Sequence, residues 1–341
     1  MGSVNLKTIA EQAGVSLATA SRVLSGSDYP VKDELRERVE RVAAELDYVP
    51  NANARGLLQG RSQTVGVLVG DVSDPFFSTM IGGIHEVAAK AGYMVTIVNT
   101  YRDPSNELDV LRRLRAQRVD VMIVAASGLD DPIHSDALEK SLAAFVKGGN
   151  SAVLIGPHEV SADLSVSRID VNNRLAARQV AEHLHELGHR RAALLAGDSN
   201  LLSMADRIAG FRDVFGDGLV VRRAAPTRDG GHDACVGLLD SDDAAGLTAI
   251  ATTADQMAFG VLACLRERGI VVPEEMSITG FNDIEFARDT VPPLTSAHLP
   301  LDEVGRLAMD MGIKALDGVP SRVTITPELS VRGSTGVVHG E

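Results

Sequence analysis

From residue 62 onward the chain repeats one pattern, a short run of Val, Ile, Leu and Ala followed by a stretch with helical spacing. Four such runs come first, at TVGVLVG (64–70), YMVTIVNT (93–100), VDVMIVAAS (119–127) and SAVLIG (151–156). Four more follow, at RRAALLAG (190–197), GLVVRRA (218–224), LTAIATT (247–253) and MSITGFN (276–282). A strand that is apolar throughout has to be covered on both faces, and such strands alternating with helices mean parallel sheets between helical layers. Two series mean two lobes of doubly wound α/β structure. The cleft between them, at the carboxyl ends of the strands, is where a ligand is expected. An apolar content of 45% without a single Trp suits sheets packed by Ala, Val and Leu.

The amino-terminal part follows a different rule. In NLKTIAEQAGVSLATASRVLSG (5–26), Leu6, Ile9, Ala10 and Ala13 share one face of a short helix that Asn5 is placed to cap. Gly14 and Val15 make a corner. A second helix opens with Ser16 as N-cap and returns Ala20, Val23 and Leu24 to the same small core. Two short helices about a glycine corner, neither able to bury itself alone, describe a helix-turn-helix. The outward side of the second helix offers Leu17, Ala18, Ser21 and Arg22, with Thr19 nearby. Small side chains allow close approach to a duplex, hydroxyls suit phosphate oxygens, and a guanidinium suits a base edge. A polar-faced helical hairpin with no nucleic-acid role has the same pattern, so the rest of the chain has to decide.

A third helix is written from about 33 to 46 by Leu35, Val39, Val42, Ala43 and Leu46, and Pro50 stops it. A short helix over roughly 51–58 carries Gly56 at its centre, which costs about 1 kcal/mol relative to Ala, so it needs a partner to form. The net charge of −13 argues against nucleic acid until its distribution is read. Residues 1–61 hold eight Lys or Arg against eight Asp or Glu, so the whole deficit lies beyond them. Two cysteines, Cys235 and Cys264, are too few for a disulfide framework and read as small buried thiols of a reducing compartment. No signal region opens the chain and no apolar run approaches the ~20 residues of a membrane span. A soluble cytoplasmic protein with no membrane partner is expected.

The run AGVS (13–16), SRVL (21–24), LDYVPN (46–51) and ARGL (54–57) resembles the lactose- and galactose-repressor family of bacterial transcription regulators, and the likeness continues to the carboxyl end. The resemblance implies an all-α helix-turn-helix DNA-binding domain at 1–50 and a hinge helix with linker at 51–61. A two-lobed α/β effector domain resembling periplasmic binding proteins follows at 62–341. It implies a first lobe of about 62–163 and 296–321, and a second of about 164–295 and 322–335, with the end strand joining the second. It further implies a homodimer on a near-palindromic operator, a repressor controlled by a small molecule in the cleft, and no cofactor. The DNA-binding positions so implied are Ser16, Leu17, Ala18, Thr19, Ser21 and Arg22, with Asn51, Ala54, Arg55 and Leu57 in the hinge. There the paired leucines would wedge into the minor groove, which has a physical basis. Lys32, where the family caps its third helix with Ser, and Gly56 are departures.

For the effector the resemblance points to Asp74, Phe76, Phe77, Ser127, Arg207 and Asn282. Phe76 or Phe77 alone reads equally well as a core aromatic behind a helix that starts at Pro75. Asp255 reads as an N-cap. Gly156-Pro157, Pro226, Ala254 and Asn282 replace polar, charged or aromatic residues of the family. A typical sugar site is thereby weakened, and three alternatives stay open: an unusual small molecule, a sugar phosphate on Arg207, or no tight ligand. His185-Glu186-Leu187-Gly188-His189 spells H-E-x-x-H, but Gly188 should end a helix begun near Asn173, which removes His189 from the face that a zinc site needs. No nucleophile, base and metal set converges elsewhere, so no catalytic or metal residue is expected. The alternative to a regulator is a periplasmic-type sugar receptor without DNA function, which residues 1–60 disfavour.

Overall fold

The eight apolar runs become strands in two six-stranded sheets. The computed structural model describes residues 4–25, 29–48 and 61–338, and the chain divides after Gln63 into two units. In the first unit α1 (Leu6–Ala13) is capped by Asn5, whose side chain accepts the Thr8 N–H at 3.1 Å, and it ends on Gly14 in the left-handed region. Helices α2 (Leu17–Ser25) and α3 (Asp33–Glu45) close over Ile9, Ala13, Ala20, Val23, Val39 and Val42. Lys32 supplies no side-chain cap to α3; Asp33 and Glu34 in its first turn favour the helix dipole instead. The hinge read at 51–61 falls, apart from Arg61, outside the described residues.

In the second unit strands β1 (Thr64–Val69), β2 (Met94–Asn99), β3 (Val121–Val124) and β4 (Ser151–Ile155) are joined by β5 (Ser167–Val171) and β11 (Arg322–Ile325). Their order is β11-β5-β4-β3-β1-β2, every pair parallel. The other sheet holds β6 (Ala192–Ala196), β7 (Leu219–Arg223), β8 (Ala249–Thr252), β9 (Ser277–Asn282), β10 (Thr295–His298) and β12 (Glu328–Ser330). Its order is β12-β10-β9-β8-β6-β7, with β12 alone antiparallel.

Three strands fall on the other side of the lobe boundaries that the sequence suggests. Residues 167–171 and 322–325 belong to the first sheet, not the second, and 295–298 belong to the second, not the first. The cause is local. SRIDV, beside the edge strand, and RVTI, on the edge itself, alternate polar with apolar residues, so neither announces itself as a fully buried strand. Pro327, which has no N–H for a ladder, divides the expected end strand into β11 and β12, one for each sheet.

Helices cover both faces of each sheet. In the second lobe α9 (Arg228–Leu239) and α10 (Asp255–Arg268) touch backbone to backbone: a Cβ on Gly231 would stand 2.2 Å from the Met257 carbonyl oxygen, and one on Gly260 1.9 Å from that of Arg228. Cys235 and Cys264 are buried and unbridged in the core beneath this pair. Among the described residues no helix is long and apolar enough to cross a membrane.

The same helix supplies its own control, because a Cβ on Gly237 would meet nothing within 4 Å. Gly231→Ala should lower the stability of the 64–341 unit by about 1–3 kcal/mol through overpacking. Gly237→Ala should raise it by roughly 0.5–1 kcal/mol. Urea unfolding followed by circular dichroism reads both; equal effects would contradict the backbone contact.

Candidate nucleic-acid interface and effector cleft

Ser16 caps the helix that carries the candidate DNA-binding positions. Its Oγ accepts the Thr19 N–H at 3.1 Å and shares a hydrogen bond with the Thr19 hydroxyl at 2.8 Å, so both hydroxyls are partly committed to the helix start. Beyond that cap Leu17 is 52% exposed although large and apolar, and Ala18 and Arg22 are exposed beside it. Thr19 and Ser21 are half-buried. The Arg22 guanidinium lies 4.0 Å from the centre of the Tyr29 ring, a contact that the spacing of residues could not disclose. Stacking limits where the guanidinium can point. The Gly14 carbonyl at the corner accepts from Arg38 at 3.3 Å, which ties the turn to α3. Of the DNA-binding positions that the resemblance implies, Asn51, Ala54, Arg55 and Leu57 lie outside the described residues.

The second candidate site lies between the lobes. Helix α4 (Pro75–Lys90) starts after β1 with Pro75 at its first turn and Asp74 as cap. Asp74 Oδ1 accepts the Phe76 N–H at 3.0 Å and, from the other lobe, the side-chain amide of Gln256 at 3.0 Å, while Oδ2 receives Arg102 at 3.2 Å. Ser127 lies three residues beyond β3, and its Oγ accepts the N–H of Ser203, which stands at the start of α8 (Leu202–Phe215), at 3.1 Å. Leu129 pairs with Leu201, and the Asp130 N–H donates to the Asn200 carbonyl at 2.8 Å. These contacts hold the lobes together around a cavity of about 240 Å³. Asp74, Phe76, Phe77, Ser127, Arg207 and Asn282 all line it, as do the changed positions Gly156, Pro157, Pro226 and Ala254. Arg102, Glu107, Asn173 and Thr253 also line it. Sequence reasoning missed these four; the carboxyl ends of β2, β5 and β8 were the signal that could have found Arg102, Asn173 and Thr253.

Arg207 is 5% exposed on α8 and is held by three neighbours. Its Nε donates to Asn173 Oδ1 at 2.9 Å, Nη1 to the Thr253 carbonyl at 2.6 Å and Nη2 to Asn282 Oδ1 at 3.4 Å, with the Phe281 ring 3.7 Å from its carbon. Burial pushes its pKa down to about 9, against the pull of Asp255 and Asp206 through space. Asn282, which ends β9, occupies φ 98° and Asp283 after it φ 56°, a tight turn where Asn and Asp are the tolerated side chains.

Asp255 does not cap α10. The cap position is Ala254, and the carboxylate turns inward, accepting the Ile284 N–H at 2.8 Å and the Ser296 hydroxyl at 2.6 Å. The loop after β9 and strand β10 offer these donors in a buried place, and they outcompete the helix end. Likewise α7 (Asn173–Glu186) stops at Leu187, and Gly188 takes φ 98°. His189 leaves the helix, is buried, and meets Thr248 at 2.7 Å and Ser277 at 3.0 Å. His185 lies beside Phe215, so the two rings of the H-E-x-x-H run do not face one ion.

Residues 5–51 match the family described as bacterial regulatory proteins, lacI family, and residues 181–335 match the periplasmic binding protein-like domain. Over 321 residues the chain is 31% identical to the transcriptional regulator GalR of Escherichia coli K12, covering 92% of this chain and 90% of that one. The chain belongs to the lacI family of bacterial transcription regulators. The transcriptional repressor CytR of the same organism is 31% identical over 98% of this chain and 96% of its own. Among solved structures of this family, the lac repressor dimer bound to operator and the anti-inducer ONPF superposes with a TM-score of 0.84 at 27% identity, over 98% of this chain and all of that one. The regulator CelR in complex with cellobiose gives 0.69 at 29% identity, over 97% of this chain and all of that one.

Burial, more than its hydrogen bonds can offset, raises the pKa of Asp255 from 3.8 to about 7. The folded chain keeps this proton where the unfolded chain has lost it, so stability is present in full below 3.8 and declines as pH rises towards about 7. Asp255→Asn should therefore flatten the fall in urea midpoint across that window. A slope unchanged from the parent would contradict the buried, protonated carboxyl.

Proposed function

We propose that the chain is a repressor that binds a near-palindromic operator as a homodimer and is controlled by a small molecule in the interlobe cleft. The observation that carries this reading is the solvent-facing set Leu17, Ala18 and Arg22 on a capped helix after a glycine corner, with the guanidinium steadied on Tyr29. Leu17 and Ala18 offer apolar contact to base edges, Arg22 offers donors to a guanine or phosphate, and Ser16, Thr19 and Ser21 position the helix on the backbone. Two such helices on a dimer read successive major-groove half-sites. Asn51, Ala54, Arg55 and Leu57 would complete the contact at the minor groove. A dimer is favoured by β2, an edge strand whose Met94 is 72% exposed with Ile97 and Tyr101 beside it, an apolar margin that a second copy would cover. The lac repressor is itself a dimer on its operator.

On this reading the cleft residues Asp74, Phe76, Phe77, Ser127, Arg207 and Asn282 take the effector, and the lobes close on it. The protein works in the cytoplasm, where its DNA is, and catalyses nothing. Selection of bound sequences from random duplex DNA by the full-length protein should return two related half-sites about a centre. Arg22→Ala should weaken binding to the selected operator by about 10- to 100-fold while leaving non-specific binding much less changed. Recovery of no preferred duplex sequence would overturn the assignment.

A further inference from the structure

The cleft holds a positive charge for which the protein supplies no counter-charge in contact. Every hydrogen-bond acceptor on Arg207 is neutral: the amide oxygens of Asn173 and Asn282 and the carbonyl of Thr253. Among the described residues no carboxylate lies within ion-pair distance of it, and Asp255 spends its oxygens on Ile284 and Ser296. The acids that line the cavity are engaged elsewhere. Asp74 holds Phe76, Gln256 and Arg102; Glu107 meets His134 at 3.2 Å; Asp198 meets Arg223 at 3.0 Å. The cavity's other cation, Arg102, is the one paired with Asp74. A buried charge left so is costly unless a ligand completes it, and a guanidinium with free Nη hydrogens matches a carboxylate in two-pronged geometry.

The remaining wall decides what the anion is attached to. Phe76, Leu129, Pro157, Leu201, Met204 and Pro226 give apolar surface. A polyhydroxylated sugar would bury hydroxyls without partners there. A phosphate dianion would ask for a second unpaired cation, which the described cavity residues do not offer. We propose that the cleft takes a monocarboxylate with a single-ring or short alkyl body, its carboxylate on Arg207 and its apolar part against the Phe76, Leu201 and Met204 side. This rests on the reading of the cleft as the effector site, and it names that effector's class.

Full-length protein should be titrated calorimetrically with benzoate, phenylacetate, hexanoate and octanoate, with benzamide as the uncharged match, and with ribose, cellobiose and glucose 6-phosphate. At least one carboxylate should bind and benzamide should not. Arg207→Gln should weaken that carboxylate by roughly 10- to 100-fold. Asn282→Asp, nearly isosteric, places a fixed carboxylate beside an intact Arg207 and should weaken it as much while circular dichroism stays unchanged. Preference for a sugar or for glucose 6-phosphate, binding of no carboxylate, or carboxylate binding that both variants leave intact would each overturn the proposal. Operator affinity measured alongside separates the two readings. A sugar that shifts it removes the ligand class but keeps the effector cleft; a bound carboxylate that leaves it unshifted keeps the class but removes the effector role.

Discussion

The guanidinium of Arg207 organises the larger unit around itself. Removing a charge from water costs several kcal/mol after relaxation, and here polar oxygens brought from three places in the chain offset part of that cost. Asn173 follows β5, the strand at which the chain leaves the first sheet; Thr253 follows β8; Asn282 ends β9. All three stand at carboxyl ends of parallel strands, because that is where successive strands of a doubly wound sheet deliver their loops to one crevice. The ring of Phe281 beneath the guanidinium completes the seat. Arg207 is therefore fixed in place before any ligand arrives, which reduces the ordering cost of binding.

The lobes are joined by contacts of a different kind. The bonds from Gln256 to Asp74, from Ser203 to Ser127 and from Asp130 to Asn200 are polar, and Ile284 and Phe259 of the second lobe add apolar contact with the core of the first. The polar bonds can be exchanged for others at small cost, which suits a closure that a ligand biases. The amino-terminal unit has a small core of Ala, Val and Ile, and it depends on caps and corners for its shape. Asn5, Gly14 and Ser16 set the two helices, and the exposed Leu17 remains an apolar group that the unit itself leaves uncovered.

Much of this was legible in the sequence, for identifiable reasons. Runs such as VMIV and AALLA, apolar on both faces and alternating with helical stretches, read as central strands; the corner at Gly14 and the stop at Gly188 follow from backbone chemistry. The six cleft residues expected from family likeness do line one cavity. What escaped depended on tertiary context. β11 is the half-polar edge strand and β5 beside it is half-polar too, so the periods that identify buried strands are missing. Asp255 stands where an N-cap is expected, yet Ile284 and Ser296, distant in sequence, claim its carboxylate. Tyr29 under Arg22 and Arg102 on Asp74 are long-range or loop contacts with no local signature.

If the cleft governs the grip on DNA, the two binding equilibria must be linked, and linkage is reciprocal. The most direct measurement is the dissociation constant of a cleft ligand for the full-length protein, taken with and without saturating operator duplex. The account predicts that operator changes the ligand's constant by the same factor by which the ligand changes the operator's. A ligand constant that is identical in both states would contradict it.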